Sequence, residues 1–187
     1  GGYARDTQKA FGMRYRSNAL AQEKTGEFWV DSQLFGDMRC HTTGDFEHAE
    51  VGVFWGKNPW QSHGIPRARV ILKALAKDPK RSLIVIDPRR TETAEMADIH
   101  LQVAPGGDAW LLAAMLGMVV QDRLYDESFI HERTVGSETL FEYLHRVPIS
   151  GYIQRAGLDE TGVRRAVDRI VGAESVSILE DLGIQQA

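Results

Sequence analysis

From residue 50 onward the chain alternates between two apolar rhythms. Short apolar-rich segments, "VGVFW" (51–55), the continuous "SLIVI" (82–86), the shorter "IHLQV" (99–103) and "SVSIL" (175–179), have the length of strands. Runs of this kind suit strands covered on both faces. Between them apolar residues recur three and four apart. Ala68, Ile71, Leu72 and Leu75 predict a helix over 65–77; Leu112, Met115, Leu116 and Val119 predict another over 109–121. Val163, Ala166, Val167, Ile170 and Val171 mark an amphipathic helix opened by Asp159, and Asp126 is placed to cap a short helix through "ESFIHERT". This order predicts an α/β fold, a mainly parallel sheet flanked by helices in a Rossmann-like, dinucleotide-binding-like layer sandwich. Residues 1–48 are less regular: a helix over 7–24, then the Gly- and Asp-punctuated "FGDMRCHTTGDF". They read as an N-terminal segment of an incomplete neighbouring region, and 49–187 as the α/β domain.

Composition narrows the class. With 22 Lys and Arg against 26 Asp and Glu, the net charge of -4 argues against a general nucleic-acid binder. The single Cys40 excludes an internal disulfide or a multi-cysteine cluster within this sequence. The longest apolar run, 110–120, is too short for a membrane span. "GGYARDTQKA" has no apolar signal region, so a cytoplasmic location is expected, with an exported form left open. A start without Met and a stop just after a strand suggest a fragment of a longer protein.

Three loops follow predicted strands, where open parallel sheets bind ligands. In "WGKNPWQS", Gly56 can take positive φ and let a ligand approach the backbone, Asn58 offers donor and acceptor, and the following helix offers free N–H groups. The same residues also suit a plain strand-to-helix turn. In "DPRRTETA", Asp87 could hold ribose hydroxyls, Arg89 and Arg90 a phosphate, with Thr91 adding a hydroxyl; equally, Asp-Pro is an ordinary turn former beside two solvated arginines. In "APGGDAW", Gly106 and Gly107 make a tight turn, and Asp108 either caps the next helix or offers a carboxylate to a base with adjacent N–H donors, as guanine has. Neither G-x-G-x-x-G nor a P-loop occurs. The six His, and the grouping "CHTTGDFEH", fit no trusted metal spacing.

Taken together, the Gly-x-Asn-Pro loop, "IVIDPRRTETAEMADIHLQVAPGGDAWLLAAM" and "LYDESFIHERTVG" resemble the molybdopterin oxidoreductase family, over about 45–187 and most strongly over 51–136. These are large subunits of formate dehydrogenase, nitrate reductase and dimethyl sulfoxide reductase type, carrying molybdenum or tungsten on two molybdopterin guanine dinucleotides (bis-MGD). The resemblance implies that Trp55, Gly56, Lys57, Asn58 and Ser62 contact the pyrophosphate and nucleotide, that Asp87, Arg89, Arg90 and Thr91 serve the ribose and phosphate side, and that Gly107 and Asp108 reach the guanine. Gly107 departs from the usual Thr there. The family's N-terminal cysteines for a [4Fe–4S] cluster have no counterpart, so that cluster is expected in a missing N-terminal part. Where the family's metal ligand should fall stand Ala21, Gln22 and Glu23; either Glu23 serves as an oxygen ligand or the metal has no protein ligand. The implied protein is an oxidoreductase of formate dehydrogenase-like type, inactive as this piece alone, with a small-molecule substrate and an electron-transfer subunit or carrier. A relative that kept the fold without catalysis, or an unrelated NAD-binding domain, are the alternatives.

Overall fold

The structure, a computed structural model, describes residues 2–15, 25–37, 43–181 and 184. They form two compact units, one up to residue 42 and the other from residue 43. In the first, helix α1 spans Gly2–Ala10 and α2 spans Thr25–Phe35. Of the expected helix over 7–24, residues 7–10 lie in α1, which ends at Ala10 where the chain turns and Gly12 takes a φ of 60°; residues 16–24 lie outside the described residues. Glu23, with Ala21 and Gln22, lies outside the described residues, as does Cys40.

The second unit is built on four strands: β1 (Val51–Trp55), β2 (Ser82–Ile86), β3 (Ile99–Leu101) and β4 (Val176–Glu180). They form one all-parallel sheet in the order β3-β2-β1-β4. Every residue of β1 is buried, which is why its sequence shows no polar alternation. Successive side chains point to opposite faces, so Phe54, Leu83 and Val85 pack on one side and Val51, Val53, Ile84 and Ile86 on the other. The first face is covered by α4 (Ala68–Lys77), following the single turn α3 (Pro59–Ser62). Ala68, Ile71, Leu72 and Leu75 are its buried stripe, as the spacing predicts.

The second face carries α5 (Asp108–Gln121) and α9 (Glu160–Val171). Between them run α6 (Glu127–Arg133), α7 (Ser137–Leu144) and α8 (Ile149–Arg155). Asp126 and Asp159 are N-caps as expected, accepting from the N–H groups of Phe129 at 2.9 Å and Gly162 at 2.7 Å. For α5 the expected stripe is one position off. Leu111, Ala114, Met115 and Met118 face the core, while Leu112 and Leu116 are 36% and 41% exposed. The helix is apolar nearly all round, so spacing alone cannot choose its inner face. The outward row instead lines an apolar groove of about 130 Å³ with Val53, Val119, Ile170 and Ile178, a lining with nothing to hold a phosphate.

The amino ends of β1 and β2 are clamped by one guanidinium. Arg169 donates to Ser82 Oγ at 2.7 Å, Glu50 Oε1 at 2.7 Å and the Lys80 carbonyl at 2.9 Å. The sheet's two edges differ. β3 is only three residues long, whereas β4 has five, with Val176 and Ile178 36% and 52% exposed.

Candidate functional site

Register brings Trp55, Ile86, Leu101 and Glu180 level with one another, so the chain leaves all four strands along one rim. From β1 it proceeds to β2 and β3 on one side and returns as β4 on the other. The crevice of such a topological switch point therefore opens between β1 and β4.

The first loop begins at Gly56, whose φ of 62° turns the chain while its N–H donates to the Ile86 carbonyl at 2.8 Å. Most of its side chains are committed inward. Lys57 is paired with Asp181 across the crevice. The Asn58 amide receives the Thr93 hydroxyl on Oδ1 at 2.6 Å and donates to Glu92 at 2.9 Å. Gln61 donates to the other Glu92 oxygen at 2.8 Å, and Ser62 Oγ to the Asn58 carbonyl at 3.0 Å. Glu92 is held down to about 2, first by the Gln61 amide and then by its own backbone N–H and the Asn58 amide. Fully buried Thr93 accepts in turn from the Trp60 N–H at 3.3 Å. This web ties the first loop to the second and leaves the backbone N–H groups of Lys57 and Asn58 without an acceptor among the described residues. The following helix does not add its own N–H groups here. α4 starts at Ala68, beyond α3 and the bend at Gly64, and not at 65.

The second loop is fixed from both flanks. Buried Asp87 accepts the Arg89 N–H at 2.8 Å, closing the turn as Asp-Pro sequences do. His100 Nε2 lies 3.0 Å from the Asp87 carbonyl, which can only accept, so that nitrogen carries the proton. Gln102 donates to the Pro88 carbonyl at 3.0 Å. Thr91 is buried and spends its hydroxyl on the Ala94 N–H at 3.2 Å. Arg89 and Arg90 are exposed, and neither guanidinium hydrogen-bonds to the described protein.

The third loop lies against the end of α8, where the Ala104 N–H donates to the Ala156 carbonyl at 2.8 Å. A Cβ on Gly107 would sit 2.8 Å from the Ala104 carbonyl oxygen and 3.0 Å from the Ala156 Cα. Glycine is required here for space, since its φ of -88° suits any residue. Gly107 is also the N-cap, without a side chain to cap with, so Asp108 opens the helix instead of capping it. Its carboxylate is buried and accepts the Trp55 indole N–H at 2.7 Å, while Oδ2 accepts nothing from the described residues.

The rim therefore offers unspent backbone N–H groups beside a positive-φ glycine, two exposed guanidinium groups, Arg89 with its charge near Glu92, and carboxylates at Asp87 and Asp108. That donor set fits a ligand with phosphates, hydroxyls and a base with N–H groups. Among the described residues no three His, Cys, Asp or Glu could hold a metal. No described helix is long and apolar enough to cross a membrane. Thr93, Glu92 and Gln61, which brace the site, carry no recognisable motif of their own; their roles depend on a loop-to-loop approach that linear spacing does not reveal.

The family model for molybdopterin oxidoreductases matches residues 4–175, and the chain belongs to that family. It is 33% identical over 142 residues to the F420-dependent formate dehydrogenase subunit alpha of Methanocaldococcus jannaschii, covering 76% of this chain and 21% of that one. Formate dehydrogenase H of Escherichia coli is 35% identical over 147 residues, covering 76% and 19%. Among solved structures, acetylene hydratase from Pelobacter acetylenicus superposes with a TM-score of 0.66 at 30% identity, covering 78% of this chain and 20% of that chain. The chain thus spans about a fifth of the length of these relatives. Membership implies a molybdopterin cofactor with molybdenum or tungsten.

Proposed function

We propose that this chain forms the grip on one molybdopterin guanine dinucleotide in an oxidoreductase of formate dehydrogenase type. The observation that carries the reading is the convergence of three loops on one rim, with donors left unspent. The Lys57 and Asn58 N–H groups and the exposed Arg89 and Arg90 suit the pyrophosphate, Asp87 suits ribose hydroxyls, and Asp108 suits the N–H edge of guanine. Asn58, Ser62 and Thr91 take a supporting part, since their side chains hold the loops and not the ligand. Lys57 is held by Asp181, and its ammonium keeps further N–H donors that a phosphate could take.

When bound, the cofactor supplies two-electron redox chemistry at its metal; these residues bind and orient its nucleotide end. A second dinucleotide, a [4Fe–4S] relay, the substrate funnel and an electron-transfer subunit or carrier would belong to other parts of the enzyme. The likeness to an enzyme named as a hydratase supports a second reading, in which the same grip serves a hydration.

The test uses the full-length protein from a host that makes the cofactor. Molybdenum and tungsten are measured by elemental analysis, and GMP released by acid hydrolysis is counted. One metal with a pair of GMP per chain supports the reading; a folded protein with neither metal nor GMP refutes it. Formate-dependent dye reduction against acetylene hydration then separates the two chemistries.

A further inference from the structure

We infer that Trp55 is a positioning residue for Asp108, and that this pair sets a preference for guanine over hypoxanthine and adenine. The inference rests on the guanine dinucleotide reading above and assigns its base selectivity. Trp55 is the last residue of β1 and is 6% exposed, ordinary enough for a core aromatic. What is not ordinary is where its polar end goes. The indole N–H crosses from the strand to the first turn of α5 and donates to Asp108 Oδ1 at 2.7 Å.

A carboxylate at the start of a helix is drawn toward the free N–H groups of the first turn. Here that pull is not satisfied by capping: Gly107 is the N-cap, and no side chain caps the helix. The indole donor instead fixes rotation of the carboxylate about its Cβ–Cγ bond. It uses one acceptor position of Oδ1 and leaves the rest of that oxygen and all of Oδ2 unspent.

Guanine presents N1–H and a 2-amino group side by side, two parallel donors that a fixed carboxylate can accept together. Hypoxanthine has N1–H but no 2-amino group, and adenine has an acceptor at N1. A carboxylate free to turn would lose the two-point match while still attracting any N–H. The holding of Asp108, and not its charge alone, is what discriminates among the three bases.

The experiment measures GMP, IMP and AMP binding to the full-length protein stripped of cofactor, wild type and Trp55→Phe. Wild type is expected to bind GMP roughly tenfold to a hundredfold more tightly than IMP or AMP. Trp55→Phe is expected to bring GMP affinity down toward that of IMP and leave AMP unchanged. A proportional fall for all three nucleotides would mean that Trp55 only packs, and would overturn the inference, as would a retained preference for GMP. If wild type itself shows no preference, the guanine reading fails and this inference with it, so the two failures are distinguishable. Should Trp55→Phe not fold, the indole ¹⁵N–H signal of Trp55 in the wild type carries the test. It is expected to shift with GMP and much less with AMP; equal or absent shifts overturn the assignment.

Discussion

Gly107→Ala sets two physical effects against each other, and the sign of the outcome decides between them. The residue has φ -88° and ψ -6°, a conformation that alanine adopts without strain. On backbone entropy alone the substitution should stabilise by about 0.4–1 kcal/mol, because the unfolded chain has fewer states to lose. The packing argues the opposite. The new Cβ would meet the Ala156 Cα at 3.0 Å, about 0.5 Å inside the best separation for two carbons. It would also lie 2.8 Å from the Ala104 carbonyl oxygen. Both are backbone atoms, and the same stretch is pinned by the hydrogen bond from Ala104 to Ala156, so no side chain can swing away. Overpacking of this kind costs about 1–3 kcal/mol, which exceeds the entropic gain. In thermal unfolding, at about 2–4 °C per kcal/mol for a chain of this size, Gly107→Ala should melt several degrees lower. Adding Ala156→Gly should not rescue it, since the obstructing atom is the Cα. A melting point equal to or above that of the parent would refute the close approach of this loop to α8, and with it the reason that this chain has Gly where the family pattern has Thr.

Glu92→Gln replaces a carboxylate that accepts from two amides. Because the folded state holds Glu92 at about 2, below its ordinary 4.5, the stabilisation is present above the unfolded value and is lost as pH falls. The stability gap between parent and variant should therefore be full at neutral pH and close between about pH 4.5 and 2 in acid titrations; a constant gap refutes the brace. Thr93→Val leaves the Asn58 Oδ1 and the Trp60 N–H without their partner in a part-buried place, and denaturant unfolding should report a loss of about 1 kcal/mol. Arg89→Ala and Arg90→Ala remove side chains with no hydrogen bond in the described protein. Their stability should stay within about 0.5 kcal/mol of the parent, while GMP recovered from the full-length protein falls; unchanged GMP would dissociate these arginines from the nucleotide.

How far the amino-acid sequence foretold this arrangement can be judged element by element. The four strands and α4 were legible because their apolar runs and stripes had one interpretation each. α5 was legible as a helix but not in its facing, since apolar residues surround it and only the packing of Met118 and Leu111 beneath it chooses a side. The two N-caps at Asp126 and Asp159 were readable from local chemistry. The third Asp at a helix start, Asp108, was not, because the competing donor lies 53 positions away in sequence, at Trp55. The loops announced themselves as candidates by Gly, Asn, Pro and Arg. Which side chains face inward was beyond reach, because Asn58 and Gln61 find Glu92 and Thr93 only once the loops are side by side.

The unequal edges of the sheet bear on how this piece behaves in solution. At β3 the row of unpaired backbone groups is too short to template much. β4 is longer, and the apolar side chains of Val176 and Ile178 on it are exposed. Natural sheets blunt such an edge with charge, proline or a covering element. Expressed by itself, the chain would meet its own copies through β4, and its solubility limit would be set at that strand and not at the polar rim where the ligand is gripped.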